Sequence, residues 1–291
     1  MDAAIRKAEV LIEALGYIRT FRDRQTVIKL GGSAMEEADA LRATLQSVVC
    51  LATVGLRPIL VHGGGKPIDR AMAASGLQPK KIQGRRYTDD ATLAIVVRVL
   101  TEEINAGIVR QLRDLGGKAI GLHSSTLQSL FGEPFMLVEP GGDKIDLGRV
   151  GFVTRVDVEL INDCSRAGMI PVIPSLAHDA GGSWLNVNAD TAAAGVAAQM
   201  KADKLVMMTD TPGILRDRKD PASLIPSLTA QDCRQLIGDG VIDSGMIPKV
   251  EACLDALKSG VGKTHIIDGR LKHSLLLEIF TDKGVGTEIV L

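Results

Sequence analysis

Lys29 lies in Val27-Ile28-Lys29-Leu30-Gly31-Gly32-Ser33, an apolar strand that ends in a lysine and two glycines. Glycines at a strand end let backbone N–H groups turn toward an anion with no Cβ in the way, and the ammonium adds a point charge. A tight turn is the commoner reading of a lone Gly-Gly. The pattern returns, however, in Ile59-Leu60-Val61-His62-Gly63-Gly64-Gly65-Lys66-Pro67: strand, glycines, then a helix whose N-terminus would face a ligand. Two such loops in one chain predict a polyphosphate site. A second lysine, Lys249 in Gly245-Met246-Ile247-Pro248-Lys249-Val250, falls in the first turn of a predicted helix, where the macrodipole disfavours a cation. A bound anion would explain that placement, and so would solvent exposure.

Leu185-Asn186-Val187-Asn188-Ala189-Asp190 alternates polar and apolar residues just before a helix predicted over 191–200. Asp190 has helix capping as its ordinary role, while the two amides on one face of a strand end have the character of ligand contacts. Arg85 and Arg86, between a glycine and a long helix, are either a solvated turn or a guanidinium clamp on a carboxylate. Several common chemistries lack their motifs. Gly262-Lys263-Thr264 is not a Walker loop, because Leu257 stands where that pattern needs glycine, and no GxGxxG, GxSxG or HExxH occurs.

The elements that must carry these residues read as alternating strand and helix. Apolar runs at 26–30, 58–62, 119–122, 170–173, 204–208 and 264–267 are each followed by an amphipathic stretch, the signature of an α/β fold. The longest helical stripe, from Asp89 to Leu115, carries Leu93, Val96, Val97, Leu100, Ile104, Ile108 and Leu112 and stops at Gly116-Gly117. Between Phe131 and Val156, Gly141-Gly142-Asp143 separates two apolar runs as a hairpin connection would, predicting antiparallel strands inserted into the α/β frame. Ile5, Ala8, Leu11, Ile12, Leu15 and Ile18 share one face of a helix that precedes the first strand. A boundary between two lobes is placed near residue 200, giving segments 1–24, 25–200 and 201–291.

Composition narrows the partners. Thirty-four Lys and Arg against 35 Asp and Glu, dispersed along 291 residues, provide no basic field for nucleic acid or an anionic membrane. Cys50, Cys164, Cys233 and Cys253 have no CxxC spacing, so neither a zinc cluster nor a disulfide framework is expected and a reducing, cytoplasmic compartment fits. No apolar run approaches the roughly 18–20 residues of a membrane span.

Taken together, VIKLGGSAM at 27–35, VHGGGKPI at 61–68, GRRYT at 84–88, LNVNAD at 185–190 and GMIPKV at 245–250 resemble the amino-acid kinase family over nearly the whole chain from residue 9. The resemblance implies a three-layer αβα sandwich with a mostly parallel sheet and two lobes, 25–200 for an acetylated amino acid and 201–291 for the nucleotide. The branch it resembles transfers a phosphoryl group from ATP to the side-chain carboxylate of N-acetyl-L-glutamate, in arginine synthesis. It implies catalytic roles for Lys29, Lys249 and Asp190, and acceptor contacts from Gly64, Gly65, Arg86 and Asn186. Nucleotide contacts would come from Gly31, Gly32, Thr209, Asp210, Gly213, Ile214 and Leu215. Mg²⁺ would be held chiefly by ATP phosphates, with no protein metal site.

The ends of the chain resemble the arginine-inhibited members. The helix at 11–24 is similar to one that interlaces dimers into a homohexamer, and 273–280 with Gly284 and Gly286 is similar to their effector region, implying an arginine site near Tyr17, Glu278 and Gly284. A PII-type signalling protein is a further partner that the resemblance allows. One departure bears on the acceptor: His123-Ser124-Ser125-Thr126 stands where a Gly-Lys-Asp run is usual. A related kinase acting on another acylated or free acid, or a catalytically weak arginine sensor, are the competing readings.

Overall fold

The structure is a computed structural model. It describes residues 1–31, 35–83, 85–123, 127–138, 141–243, 245–281 and 284–291, with residues 3, 4 and 7 as backbone. Helix α1 (Asp2–Phe21) precedes β1 (Gln25–Leu30), α2 (Ala38–Thr53), β2 (Arg57–His62), α3 (Gly65–Ala74) and a short ribbon of β3 (Lys81–Ile82) and β4 (Arg85–Arg86). Next come α4 (Asp90–Arg98), a π-helical turn (Val99–Asn105), α5 (Ala106–Asp114) and β5 (Ala119–Gly121). The middle supplies β6 (Leu130–Val138), β7 (Lys144–Val156), α6 (Val158–Arg166), β8 (Ile170–Pro174), β9 (Leu176–His178), β10 (Trp184–Val187) and α7 (Ala189–Met200). The remainder is β11 (Lys204–Thr209), β12 (Ser227–Thr229), α8 (Ala230–Gly238), α9 (Ile247–Lys258), β13 (Lys263–Asp268), α10 (Ser274–Ile279) and β14 (Thr287–Val290).

Eight strands form one sheet in the order β12-β14-β13-β11-β1-β2-β8-β5. Its pairings are parallel except β13 with β14. Because side chains alternate along a strand, each central strand feeds two cores. Val27, Ile59, Val61, Leu205 and Met207 face one layer with Ile161 of α6, Ala193 and Val196 of α7 and Val250 of α9. Ile28, Leu30, Leu60, Val206 and Met208 face the other, with Leu45 and Val48 of α2, Ile108 and Leu112 of α5 and Leu275 of α10. Burial on both faces is why these strands read as continuous apolar runs. The result is the expected αβα sandwich.

β6 and β7 do form an antiparallel hairpin, with Leu137 opposite Ile145 and Leu130 opposite Val156. It goes further than a hairpin, closing with β9 and β10 into a small barrel beside the main sheet. The predicted helix from 89 to 115 is present but not uniform. Its centre is the π turn, which buries Val99, Leu100, Thr101 and Asn105. A seven-residue stretch of π-helix is invisible to a three-to-four spacing rule, because the apolar stripe continues through it.

α1 extends with Ile5, Val10, Leu11, Ile12 and Leu15 exposed. Near its end the Tyr17 ring packs at a tilt on Phe280, and Lys204 lies over the Phe21 ring. Among the described residues, no helix is long and apolar enough to cross a membrane.

Ile28 has no exposed surface and sits in the strand that carries Lys29. Ile28→Ala is expected to lower unfolding free energy by about 2–5 kcal/mol, as large-to-small core changes do, measured by urea denaturation.

Candidate active site

Parallel pairing sets Leu30 level with His62, so Gly31 and Gly63, the residues after β1 and β2, emerge side by side at the same edge of the sheet. That edge is also a topological switch point: β2 lies on one side of β1 and β11 on the other. In open α/β sheets the crevice beyond such carboxyl ends is where ligands bind. A cleft of about 210 Å³ opens there, lined by both loops together with Arg86, Asn186 and Asp190.

At its floor the Asp190 carboxylate joins two lysines, one to each oxygen. Lys29 Nζ lies 2.8 Å from Oδ1 and Lys249 Nζ 3.3 Å from Oδ2. Lys29 projects from β1, Asp190 from the first turn of α7 and Lys249 from the first turn of α9. Burial opposes ionisation of Asp190, but the two ammonium groups, Lys29 foremost, outweigh it and hold the carboxyl below its usual range. The capping role belongs to Asn188, whose side chain accepts from the Asp190 and Thr191 N–H groups. Asp190 is thereby free for the lysines, and the macrodipole of α7 favours its negative charge.

The glycines serve close approach. A Cβ at Gly31 would overlap the Lys29 ammonium, and one at Gly63 would lie 2.9 Å from Ala189 Cβ. Gly64 precedes α3 with no side-chain cap, so the first-turn N–H groups of that helix lie at the cleft as anion donors. Gly32 lies outside the described residues.

Arg86 and Asn186 both border the cleft. The Arg86 guanidinium is buried, 2.5 Å from Asp69 Oδ1, and donates to the Gly65 carbonyl at 3.2 Å. Asn186 donates to Thr88 Oγ1 at 3.0 Å. Asp69 is not singled out by the sequence, since a lone Asp on a helix carries no pattern, and Thr88 enters only as the last residue of GRRYT, with no role of its own. Their place follows only when α3, the ribbon and β10 converge.

A second cavity, about 300 Å³, is lined by Thr211, Gly213, Ile214, Leu215, Val241 and Ile242 among others, with Arg218, Asp243 and Arg270 also on its wall. Gly213 adopts φ +149, and a Cβ there would meet Thr287 and Leu224. Thr209 and Asp210 do not line it. Thr209 is buried, its hydroxyl engaged with Thr211 and the Ile267 carbonyl, and Asp210 is exposed. The first turn of α9 joins the two hollows: Met246 lines the second, while Lys249, three residues on, reaches the first.

Glu278 and Gly284 meet elsewhere, at α10, and Tyr17 of α1 packs on Phe280 at the end of that helix. Glu278 accepts from His265 Nδ1 at 2.6 Å and from the Val285 and Gly286 N–H groups at 2.7 and 3.0 Å. Gly284, at φ +60, approaches so closely that a Cβ would meet the Glu278 carboxylate.

The model of the amino acid kinase family matches residues 24–268. Acetylglutamate kinase of Heliobacterium modesticaldum is 46% identical over the full length of both chains. That of Symbiobacterium thermophilum is 44% identical over 99% of this chain and 98% of its own. Among solved structures, N-acetylglutamate synthase from Neisseria gonorrhoeae, complexed with coenzyme A and N-acetyl-glutamate, superposes with a TM-score of 0.85 at 27% identity. The match covers 97% of this chain but 62% of the synthase.

Replacing Asp190 with Asn leaves two ammonium groups without their shared counterion. Breaking a buried pair costs about 3–5 kcal/mol, and the partial exposure of Lys249 places the expected loss near the lower figure. Since the folded pKa of Asp190 is depressed below 3.8, its contribution is present above that value and fades as pH falls through the folded pKa. Urea denaturation at neutral pH should therefore show the full difference between parent and Asp190→Asn, and the difference should narrow below about pH 4.

Proposed function

The chain belongs to the amino acid kinase family, and we propose that it transfers the γ-phosphoryl group of ATP to the side-chain carboxylate of N-acetyl-L-glutamate, giving the 5-phosphate used in arginine synthesis. The observation that carries this reading is the Lys29–Asp190–Lys249 cluster at the mouth of two glycine loops, in a chain similar throughout to acetylglutamate kinases. A carboxylate is already ionised near neutral pH and needs no base to attack phosphorus. The protein's task is alignment and charge neutralisation.

In this reading Lys29 and Lys249 neutralise charge on the phosphoryl group in transit. Asp190 holds the two cations a fixed distance apart and keeps the site from being over-positive when empty. The N–H groups of Gly64 and Gly65 donate to phosphoryl oxygens, and the Arg86 and Asn186 side of the cleft orients the acceptor. The base and ribose occupy the Gly213–Leu215 cavity, with Gly31 flanking the phosphates. Mg²⁺ entering with ATP would supply further charge neutralisation and would be held chiefly by ATP phosphates. Asp190, already committed to two lysines, is a poor ligand for it. The segment 25–200 thus serves the acceptor and 201–291 the nucleotide, in the cytoplasm. Of the departure at His123-Ser124-Ser125-Thr126, the last three residues lie outside the described residues.

Arginine inhibition and a hexameric assembly belong to the same reading. The exposed apolar residues of α1 support a helix that pairs with its counterpart in another copy. The contact of Tyr17 with Phe280, close to Glu278, supports a link between that helix and an arginine site.

Turnover of N-acetylglutamate with ATP-Mg²⁺, followed by ADP release, tests the activity. Lys29→Ala and Lys249→Ala should each lower kcat on the order of 100-fold or more, the scale of losing one transition-state donor. Near-normal kcat in both would refute the assignment. Deleting residues 1–20 should reduce the assembly from a hexamer to dimers in light scattering and blunt inhibition by millimolar arginine.

A further inference from the structure

Behind the second glycine loop lies a buried polar group that the reaction as described does not use. His62, the last residue of β2, has no exposed surface. Its Nδ1 lies 3.1 Å from the Gly63 carbonyl oxygen, and its Nε2 lies 3.1 Å from Asn105 Nδ2. The same Asn105 nitrogen donates to the Val172 carbonyl at 3.0 Å. A carbonyl can only accept, so Nδ1 carries the proton; an amide nitrogen can only donate, so Nε2 presents its lone pair. Each contact demands the same neutral tautomer. Burial, with His123 opposing a second charge, pushes His62 down to about 4, which agrees with the neutral form.

The geometry has a consequence on the other side of the peptide. In a planar trans peptide, the carbonyl of one residue and the N–H of the next point in opposite directions. The imidazole draws the Gly63 carbonyl to itself, so the Gly64 N–H points away from it. No described residue accepts from that N–H, and Gly64 lines the cleft with Lys29 and Asp190. Asn105 reaches His62 because it closes the π turn. The same turn brings Leu100 and Ile104 against Gly64 so tightly that a Cβ there would lie 2.8 and 2.6 Å from them. π turns inside α-helices recur at functional sites.

We propose that His62 and Asn105 are positioning residues for phosphoryl transfer: Asn105 holds His62 in its Nδ1–H tautomer, and His62 turns the Gly63–Gly64 peptide so that the Gly64 N–H faces the phosphoryl group. This rests on the kinase reading above. Neither residue touches substrate, and their effect falls on alignment in the transition state, so kcat should respond more than KM.

Imidazole ¹⁵N shifts of the parent enzyme read the tautomer directly. The expected spectrum shows His62 neutral with its proton on Nδ1 from pH 5 to 8; a proton on Nε2 would overturn the proposal. In turnover assays, His62→Leu should lose roughly 10–100-fold in kcat, at or below the loss of one oxyanion donor, with KM for ATP changed less than about three-fold. His62→Asn, whose amide nitrogen can replace Nδ1 as donor, should recover most of that loss. Asn105→Asp replaces the donor to Nε2 with an acceptor and should raise the His62 pKa by more than about two units, adding a new ionisation to the kcat profile near neutral pH. A His62→Leu enzyme within about two-fold of the parent, or an Asn105→Asp enzyme whose pH profile matches the parent, would also sink the proposal. A parent enzyme without turnover would overturn the kinase reading, while the tautomer measurement would still stand on its own.

Discussion

One carboxylate makes the rest possible. Two ammonium groups within hydrogen-bond reach of a common point repel each other, and in a partly buried site that repulsion is barely screened. Asp190 makes the arrangement stable by giving each lysine its own oxygen. The fold can be understood as the means of delivering three charges to that point. β1 contributes one from the centre of the sheet, and α7 and α9 contribute the others from first turns on the same face. For Lys249 the helix dipole is unfavourable and for Asp190 it is favourable, so the pair is balanced in the dipoles as well as in the charges.

In the proposed reading, a phosphoryl group in the cleft meets two ammonium groups whose directions Asp190 already fixes, so neither lysine need reorient far. Glycine matters here for lack of volume: the Lys29 ammonium lies where a Cβ of residue 31 would be, and Ala189 presses on Gly63. The space at Gly31 and Gly63 is thus set by side chains already in place.

Much of this was legible in the order of residues. Continuous apolar runs marked strands buried on both faces, and Val27 beside Ile28 sorts into two cores as a doubly covered sheet requires. The lysines and the glycine loops were visible because they break apolar patterns. The cap expected of Asp190 falls to Asn188, which had the character of a ligand contact: either type can cap a helix, and only the observed hydrogen bonds show which does. Asp69 carried no signal, and Thr88 was visible only as part of GRRYT, because the role of each depends on a partner from another element. Thr209 and Asp210 follow a strand as nucleotide contacts would, yet the turn directs one inward and the other to solvent. The π turn was hidden because Val96, Leu100, Ile104 and Ile108 recur every four residues, a spacing that lies between the α- and π-helical periods and so fits either.

The pairing of β1 with β11 joins residues near the start of the chain to residues more than halfway along it. During synthesis β1 and β2 can associate early, but the edge of β1 that will meet β11 stays open until residue 209 has left the ribosome, and Lys29 waits longer still for Lys249. Such non-local closure is slow and exposes an unsatisfied strand edge while it is pending. Four of the eight strands, β1, β2, β5 and β8, therefore precede β11 in synthesis, and the Lys29–Asp190–Lys249 cluster can close only once α9 has followed.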